Sequence, residues 1–496
     1  MTYSGCVVCS GTGKTTCLVF RMWAQYMAYV ERSDGMQPRQ FFITKNDILR
    51  REVEKSFNNM GLAWRRRTES SSENNLSVVT NESSILEETK IIKFPLFLTA
   101  GEWLDVLDIK LPGEHFFTAK EREKRLFCRE EDDTVKRGID AFFAVDDQNI
   151  ESKEIIRKEM TYPLFFKFWK KINSRIKSSL DPALVWLEIK SHIKGSVTAL
   201  KIYENERSLP QNRFLKLQEY LNLPRKQSRI NASQRRLVYN LYTSYEKLKK
   251  NCNFFDEMDV IYNLAGRLSL FEKELKTNNS NFRSRLLPID SLFVDEVQDF
   301  TQAELYILTK CSRDPNNLML AGDTAQSISV GVGFRFTDVR QIFYESFGGL
   351  EPRLLQLTHN YRSHTGILRL AACVIELLYF FFSESLDKLP PDLGLFDGPK
   401  PTIMEVNSTE DLVLMLDGSK RETSRIEFGA HQVVIVRNEE AKQSLPDSFG
   451  IDKDWVMTVS LQKITIISFI RSTGMYFLTF NFDIVLRSQV QQSKMY

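Results

Sequence analysis

Two short stretches, far apart in the chain, carry residues whose types and spacing could bind and cleave phosphate. Near the start, Gly5-Cys6-Val7-Val8-Cys9-Ser10-Gly11-Thr12-Gly13-Lys14-Thr15-Thr16 passes from an apolar run through glycines to Lys-Thr, then into the apolar Cys17-Leu18-Val19-Phe20. That order predicts strand, loop and helix. Glycines let successive backbone N–H groups turn inward on phosphate oxygens. Lys14 supplies a charge for the β and γ phosphates, Thr15 a hydroxyl for Mg²⁺, and the helix its N-terminal partial positive charge. The candidate nucleotide cradle is therefore Val8, Cys9, Ser10, Gly11, Thr12, Gly13, Lys14, Thr15 and Thr16. Val8 stands where the pattern G-x-x-x-x-G-K-[ST] has its first glycine, while Ser10–Thr15 is intact. The plainer alternative is a glycine turn between a strand and a helix.

Downstream, the apolar run Leu287–Val294 ends in Asp295-Glu296-Val297-Gln298-Asp299. A strand of this kind projects its carboxylates from the C-terminal edge of a parallel sheet, where ligands of open α/β sheets bind. Asp295 is the expected Mg²⁺ ligand, shared with Thr15, and Glu296 the residue that orients or deprotonates the attacking water. Alone, two acids at a strand end often just meet solvent. Paired with the glycine loop, they point to nucleotide hydrolysis.

Asp295–Asp299 resembles the D-E-x-Q-D box of UvrD/Rep-type superfamily 1 helicases, and further matches follow in the family's order. Leu318-Met319-Leu320-Ala321-Gly322-Asp323-Thr324-Ala325-Gln326-Ser327-Ile328 resembles L-x-x-x-G-D-x-x-Q-S-I, and Leu357–Ser363 resembles L-x-x-N-Y-R-S. The resemblance implies that Gln326 senses the γ-phosphate and that Phe334 and Arg335 touch single-stranded nucleic acid. It also implies that Arg362 reaches the γ-phosphate from a second domain. Catalysis would then rest on Glu296, Gln326 and Arg362. Weaker matches are Phe42–Asn46, Phe255–Asp259 and Val433–Asn438. Within the family, Val332-Gly333-Phe334-Arg335-Phe336 and a long insert are most similar to the large TPR-and-ankyrin-repeat-containing helicase-like proteins of animals.

The implied fold is α/β: a RecA-like P-loop NTPase domain with a helical insertion and an incomplete second RecA-like domain. About 280 residues separate Lys14 from Asp295, roughly twice what a bare doubly wound core needs. The expected boundaries are 1–110 and 254–347 for the first domain, 111–253 for the insertion, 348–463 for the second domain and 464–496 for a divergent tail. Thr68–Asn75 reads as a polar loop, and Phe94–Thr99 as a core strand. Aromatic and aliphatic residues at helical spacing in Phe165–Trp169, Ala183–Leu187 and Leu237–Tyr239 read as core. Ile367–Phe382 reads as a buried helix, too short to span a bilayer. No repeat of about 20 to 50 residues is evident.

At its ends the chain departs from the family. The first strand leaves no room for an upstream adenine-reading glutamine. After Trp455–Lys463 the family's Gly-Leu-Glu is replaced by Ile464-Thr465-Ile466, with no later arginine box. A motor truncated at both ends, with slow turnover and impaired strand separation, is the expectation. The competing class is a nucleotide-binding scaffold without turnover.

Composition adds limits. With 42% apolar residues and 67 basic against 64 acidic, the chain can bury two or three cores and is not basic overall. Residues 201–290 are mildly basic, with 17 Lys or Arg against 10 Asp or Glu; they either follow a phosphate backbone or form solvated helix faces. Cys6-Val7-Val8-Cys9 has no second pair nearby, so its thiols read as structural, and the five histidines are scattered. Seven cysteines without a secretory signal predict an intracellular protein, nucleus or cytoplasm undecided. The expected cofactors are ATP and Mg²⁺. The expected partner is single-stranded nucleic acid, DNA or RNA undecided, with no membrane and the oligomeric state open.

Overall fold

The structure is a computed structural model that describes residues 5–8, 11–32, 38–69, 94–127, 156–205, 214–224, 227–228, 230–277, 289–312, 314–323, 331–333, 335–349, 351–381, 390–401, 434–436 and 456–458. Contacts divide the chain into two units. The first comprises Met1–Cys9 and Lys14–Leu357; the second comprises Ser10–Gly13 and Thr358–Tyr496.

The first unit begins with β1 (Gly5–Val8), α1 (Lys14–Val30), β2 (Gln40–Thr44), α2 (Asp47–Glu69), β3 (Leu96–Thr99) and α3 (Ala100–Lys110). Each strand is followed by a helix, the pattern that forces parallel pairing. A helical stretch follows: α4 (Ala119–Phe127), the short β4 (Lys158–Glu159), α5 (Tyr162–Ile172), and α6 (Pro182–Leu187), which continues as a π-helix over Glu188–Lys194. Then come α7 (Val197–Asn205), α8 (Leu217–Leu221), α9 (Ala232–Asn251), β5 (Phe254–Phe255), parallel to β4, and α10 (Glu257–Thr277). The chain returns to the sheet through β6 (Ser291–Val294), α11 (Gln302–Cys311), β7 (Leu318–Gly322), α12 (Phe336–Ser346) and β8 (Arg353–Gln356). The six strands run in the order β3-β2-β6-β7-β1-β8, all parallel. This is the doubly wound α/β fold the sequence predicts.

Strand alternation decides which face each residue serves. Phe42 is buried with Phe97, Phe293 and Met319 beneath Leu18, Val19 and Met22 of α1 and Val53 and Phe57 of α2. Its neighbour Phe41 packs edge-on against Trp103 of α3, 5.6 Å between ring centres. Successive side chains point to opposite faces of a strand, so helices must cover both sides. α3 is set by a capping box, in which Thr99 Oγ1 accepts from the Glu102 N–H and Glu102 accepts from the Thr99 N–H. As expected, Phe165, Val185, Trp186 and Val238 are core, while Phe166 and Leu237 of the same apolar runs are exposed.

The second unit contains β9 (His359–Asn360), α13 (Thr365–Phe381), β10 (Leu393–Gly394), β11 (Val434–Val436) and β12 (Val456–Thr458). β9 pairs in parallel with β10, and β11 with β12. Two local expectations need correction. Thr68 and Glu69, expected in a polar loop, are helical, because α2 runs through Arg65-Arg66-Arg67, good helix formers, to Glu69, and the rest of that expected loop lies outside the described residues. The helix expected to be buried at 367–382 forms but is not buried along its length. Gly366 and Ile367 are buried, Gly366 against the backbone of Gly398 and Pro399, while Leu377, Phe380 and Phe381 are exposed. Apolar content predicts a helix here but not what covers it. Among the described residues, no helix is long and apolar enough to cross a membrane.

Candidate nucleotide-binding edge

The start of the first helix and the acidic strand end meet at the C-terminal edge of the first unit's sheet. Lys14 and Thr15 open α1 directly after the glycine loop that follows β1, and Asp295 follows β6. Only β7 lies between β1 and β6. The Thr15 hydroxyl donates to Asp295 Oδ2 at 2.6 Å, across 280 residues of sequence. Asp295 is fully buried; its N–H donates to the Ile43 carbonyl of β2 at 3.0 Å, which holds the acid to the sheet. Burial pushes its carboxyl up to about 6, helped by the charge of Glu296, against the lowering pull of Thr15, the Glu296 amide and Lys14. Lys14 and Thr12 are buried as well.

Glu296 occupies the left-handed region, φ 53° and ψ 47°, a conformation that costs a non-glycine residue roughly 1–2 kcal/mol. Two contacts hold it there. Its N–H donates to Asp295 Oδ1 at 3.0 Å, and its carboxylate accepts from the Gln298 amide. Gln298 also accepts from the Asp323 N–H at 2.9 Å, tying the acidic turn to the end of β7. A Cβ on Gly322 would come within 2.6 Å of Gln298 Oε1 and Val297 Cγ2. Glycine is required there by close approach. Sequence reasoning gives neither Gln298 nor Gly322 a role; the signal that could have found them is their place in the two boxes.

A second charged group sits on the same edge. Lys45, just past β2, pairs with Glu257 at 3.0 Å and Glu304 at 2.5 Å, and Lys190 pairs with Glu257 at 2.9 Å. Burial opposes the charge on Lys45, but the two carboxylates outweigh it and hold its pKa above the usual lysine range. Burial likewise opposes ionisation of Glu257, and Lys190 and Lys45 overcome it, holding that acid low. Deeper in, Lys194 contacts Asp256 at 2.5 Å, Glu246 at 2.9 Å and Asp259 at 3.2 Å, and Lys249 joins the same acids. Sequence reasoning missed both clusters, because the partners are distant in the chain: 212 positions separate Lys45 from Glu257, and 62 separate Lys194 from Asp256.

The remaining predicted residues fall in three groups. Val8 ends β1, and Thr16 lies in the first turn of α1. Cys9, Ser10, Gln326 and Phe334 lie outside the described residues. Arg335 precedes α12 and pairs with Asp338 at 3.5 Å. In the second unit, Gly11 and Gly13 have φ of +65° and +83°, as a loop turning its amides inward requires. The Tyr361 N–H donates to the Gly11 carbonyl at 3.0 Å, and a Cβ on Gly11 would collide with the Asn360 amide. Asn360 Oδ1 accepts from the N–H groups of Arg362 and Ser363, each at 2.9 Å, an Asx turn that leaves the Arg362 side chain exposed.

The residues present suit a magnesium nucleotide. A buried carboxyl whose pKa is lifted by desolvation gains from a cation, a hydroxyl lies beside it, and a buried lysine opens the helix. Among the described residues, no group of three or more acidic, histidine or cysteine side chains could hold a metal by itself. A cation at Asp295 would therefore take its remaining ligands from the hydroxyl, the phosphates and water, as Mg²⁺ does.

Residues 109–345 match the UvrD/REP helicase N-terminal domain. The chain is also 37% identical over 439 residues to the human TPR and ankyrin repeat-containing protein 1, covering 83% of this chain and 14% of that protein. It thus spans less than a sixth of that relative's length. With an all-parallel sheet and an acidic strand end at its edge, residues 109–345 belong to the UvrD/REP helicase N-terminal domain family.

Proposed function

We propose that this chain is an ATP-hydrolysing motor module that acts on single-stranded nucleic acid. The observation that carries the reading is the 2.6 Å contact between Thr15 and buried Asp295. In this reading residues 8–16 cradle the triphosphate, and Lys14 neutralises it. Thr15 and Asp295 hold Mg²⁺, which when bound neutralises charge on the β and γ phosphates. Glu296 orients and deprotonates the attacking water, with its carboxylate fixed by Gln298. Gln326 and Arg362 act on the γ-phosphate, and Phe334 and Arg335 contact the strand. Residues 1–110 and 254–347 form the first RecA-like domain, 111–253 its helical insertion and 348–463 part of a second.

ATP turnover, measured with and without single-stranded DNA or RNA, tests this. Stimulation by one of them, lost in Lys14→Ala, is the expected result; no turnover in any condition would contradict it. A nucleotide-binding scaffold without turnover is the second reading. It is favoured by the pairing of Lys45 and Arg335 with acids, which neutralises two cations that could otherwise meet a phosphate backbone. It predicts ATP binding with no hydrolysis.

A further inference from the structure

The π-helix Glu188–Lys194 spreads four side chains over three parts of the first unit. Glu188 accepts from Tyr220 at 2.7 Å and Ser228 at 3.1 Å. Lys190 reaches Glu257, which also holds Lys45 at the end of β2. Lys194 enters the buried acidic cluster. Ser191, buried, turns to the segment that follows β7: its hydroxyl donates to the Gly331 carbonyl at 2.5 Å and accepts from the Gly333 N–H at 3.0 Å. One hydroxyl therefore closes a three-residue turn.

The opposite side of that turn is also fixed. Gly331 has φ +93°, and a Cβ there would lie 2.5 Å from the Trp186 ring. The turn is clamped between Trp186 and Ser191, both from the helical stretch, and it ends two positions before Arg335 in the sequence. π-Helical turns are rare and concentrate at functional sites. Here the widened winding lets Lys190 and Ser191, adjacent in sequence, reach different targets: the charged edge beside Asp295, and the turn before Arg335.

We propose that Ser191 is a positioning residue that sets the Gly331–Gly333 turn, and through it the orientation of Arg335 toward single-stranded nucleic acid. This deepens the motor reading and rests on it. Losing the hydroxyl leaves a buried backbone donor and acceptor to find other partners, so the grip on the strand weakens by roughly tenfold.

The test uses the full chain as wild type, Ser191→Ala and Ser191→Cys, the last keeping the shape with a weaker donor. Hydrogen exchange is followed at the Gly333 amide, and binding with fluorescein-labelled oligo(dT) and oligo(U) of about 15 nucleotides, within the range one binding fold covers. Expected are faster Gly333 exchange in Ser191→Ala, a roughly tenfold higher oligonucleotide KM for ATP turnover with kcat at saturation retained, and intermediate behaviour in Ser191→Cys. Unchanged Gly333 protection would overturn the clamp. Lost protection with unchanged oligonucleotide affinity would overturn the link to Arg335. A wild type that binds neither oligonucleotide, yet loses Gly333 protection on substitution, would sink the motor reading and the link to Arg335 while leaving the clamp itself standing.

Discussion

Asp295 and Asp256 are both buried carboxylates in the first unit, and their environments push them in opposite directions. Burial lifts Asp295, whose hydrogen bonds come from a hydroxyl and an amide. Burial would lift Asp256 too, but Lys194 and Lys249 outweigh it and hold that acid low. Similar desolvation leads to different roles according to what compensates it. An acid matched by buried lysines is finished as a structural element; an acid matched by neutral donors still gains from a cation.

Breaking each side of this comparison has a distinct expected outcome. Glu296→Gln keeps the geometry but removes the base, so turnover should fall by about 10²–10⁴ with ATP affinity retained; single-turnover kinetics beside calorimetry checks both. Lys194→Met leaves Asp256, Glu246 and Asp259 with Lys249 as their one ion-pair partner among the described residues. Removing one partner of a buried ion cluster should cost about 3 kcal/mol, read as a lowered urea midpoint at unchanged slope. Asp295→Asn should act in the opposite direction on the ligand-free protein. Its raised pKa means that the stability this group contributes is present below its unfolded value, near pH 4, and lost as pH rises through about 6. Replacing it should thus raise ligand-free stability at pH 7.5 by on the order of 2–3 kcal/mol, with little change below pH 4. Gln298→Ala should have the smallest effect: it frees the Glu296 carboxylate and removes the acceptor for the Asp323 N–H, lowering turnover about tenfold without altering ATP affinity.

The legible part of the molecule is its parallel sheet, with Lys14-Thr15 and Asp295-Glu296 at its edge. Glycines before Lys14-Thr15, and an apolar strand before Asp295-Glu296, are local patterns whose chemistry is tied to the C-terminal ends of strands. Phe94–Thr99 and the aromatic helices can be read in the same way, from period and neighbours. What stays hidden depends on pairing at a distance. Lys45 looks like any polar residue after a strand, yet Glu257 and Glu304 neutralise it. Ser191 carries no local signal at all, since its partners Gly331 and Gly333 lie 140 and 142 positions away. The helix Thr365–Phe381 shows the converse: its apolar residues predict the helix, but its surroundings determine burial, and Leu377, Phe380 and Phe381 are exposed.

The central claim is that Thr15 and Asp295 form the metal-dependent half of an ATP site. Calorimetric titration of ATP at pH 7.5, with and without Mg²⁺, into wild type and Asp295→Asn, tests it most directly. The account predicts that Mg²⁺ tightens binding to wild type by roughly tenfold or more, about 1.4 kcal/mol, and does not do so in Asp295→Asn. The same Mg²⁺ dependence in both proteins would contradict it.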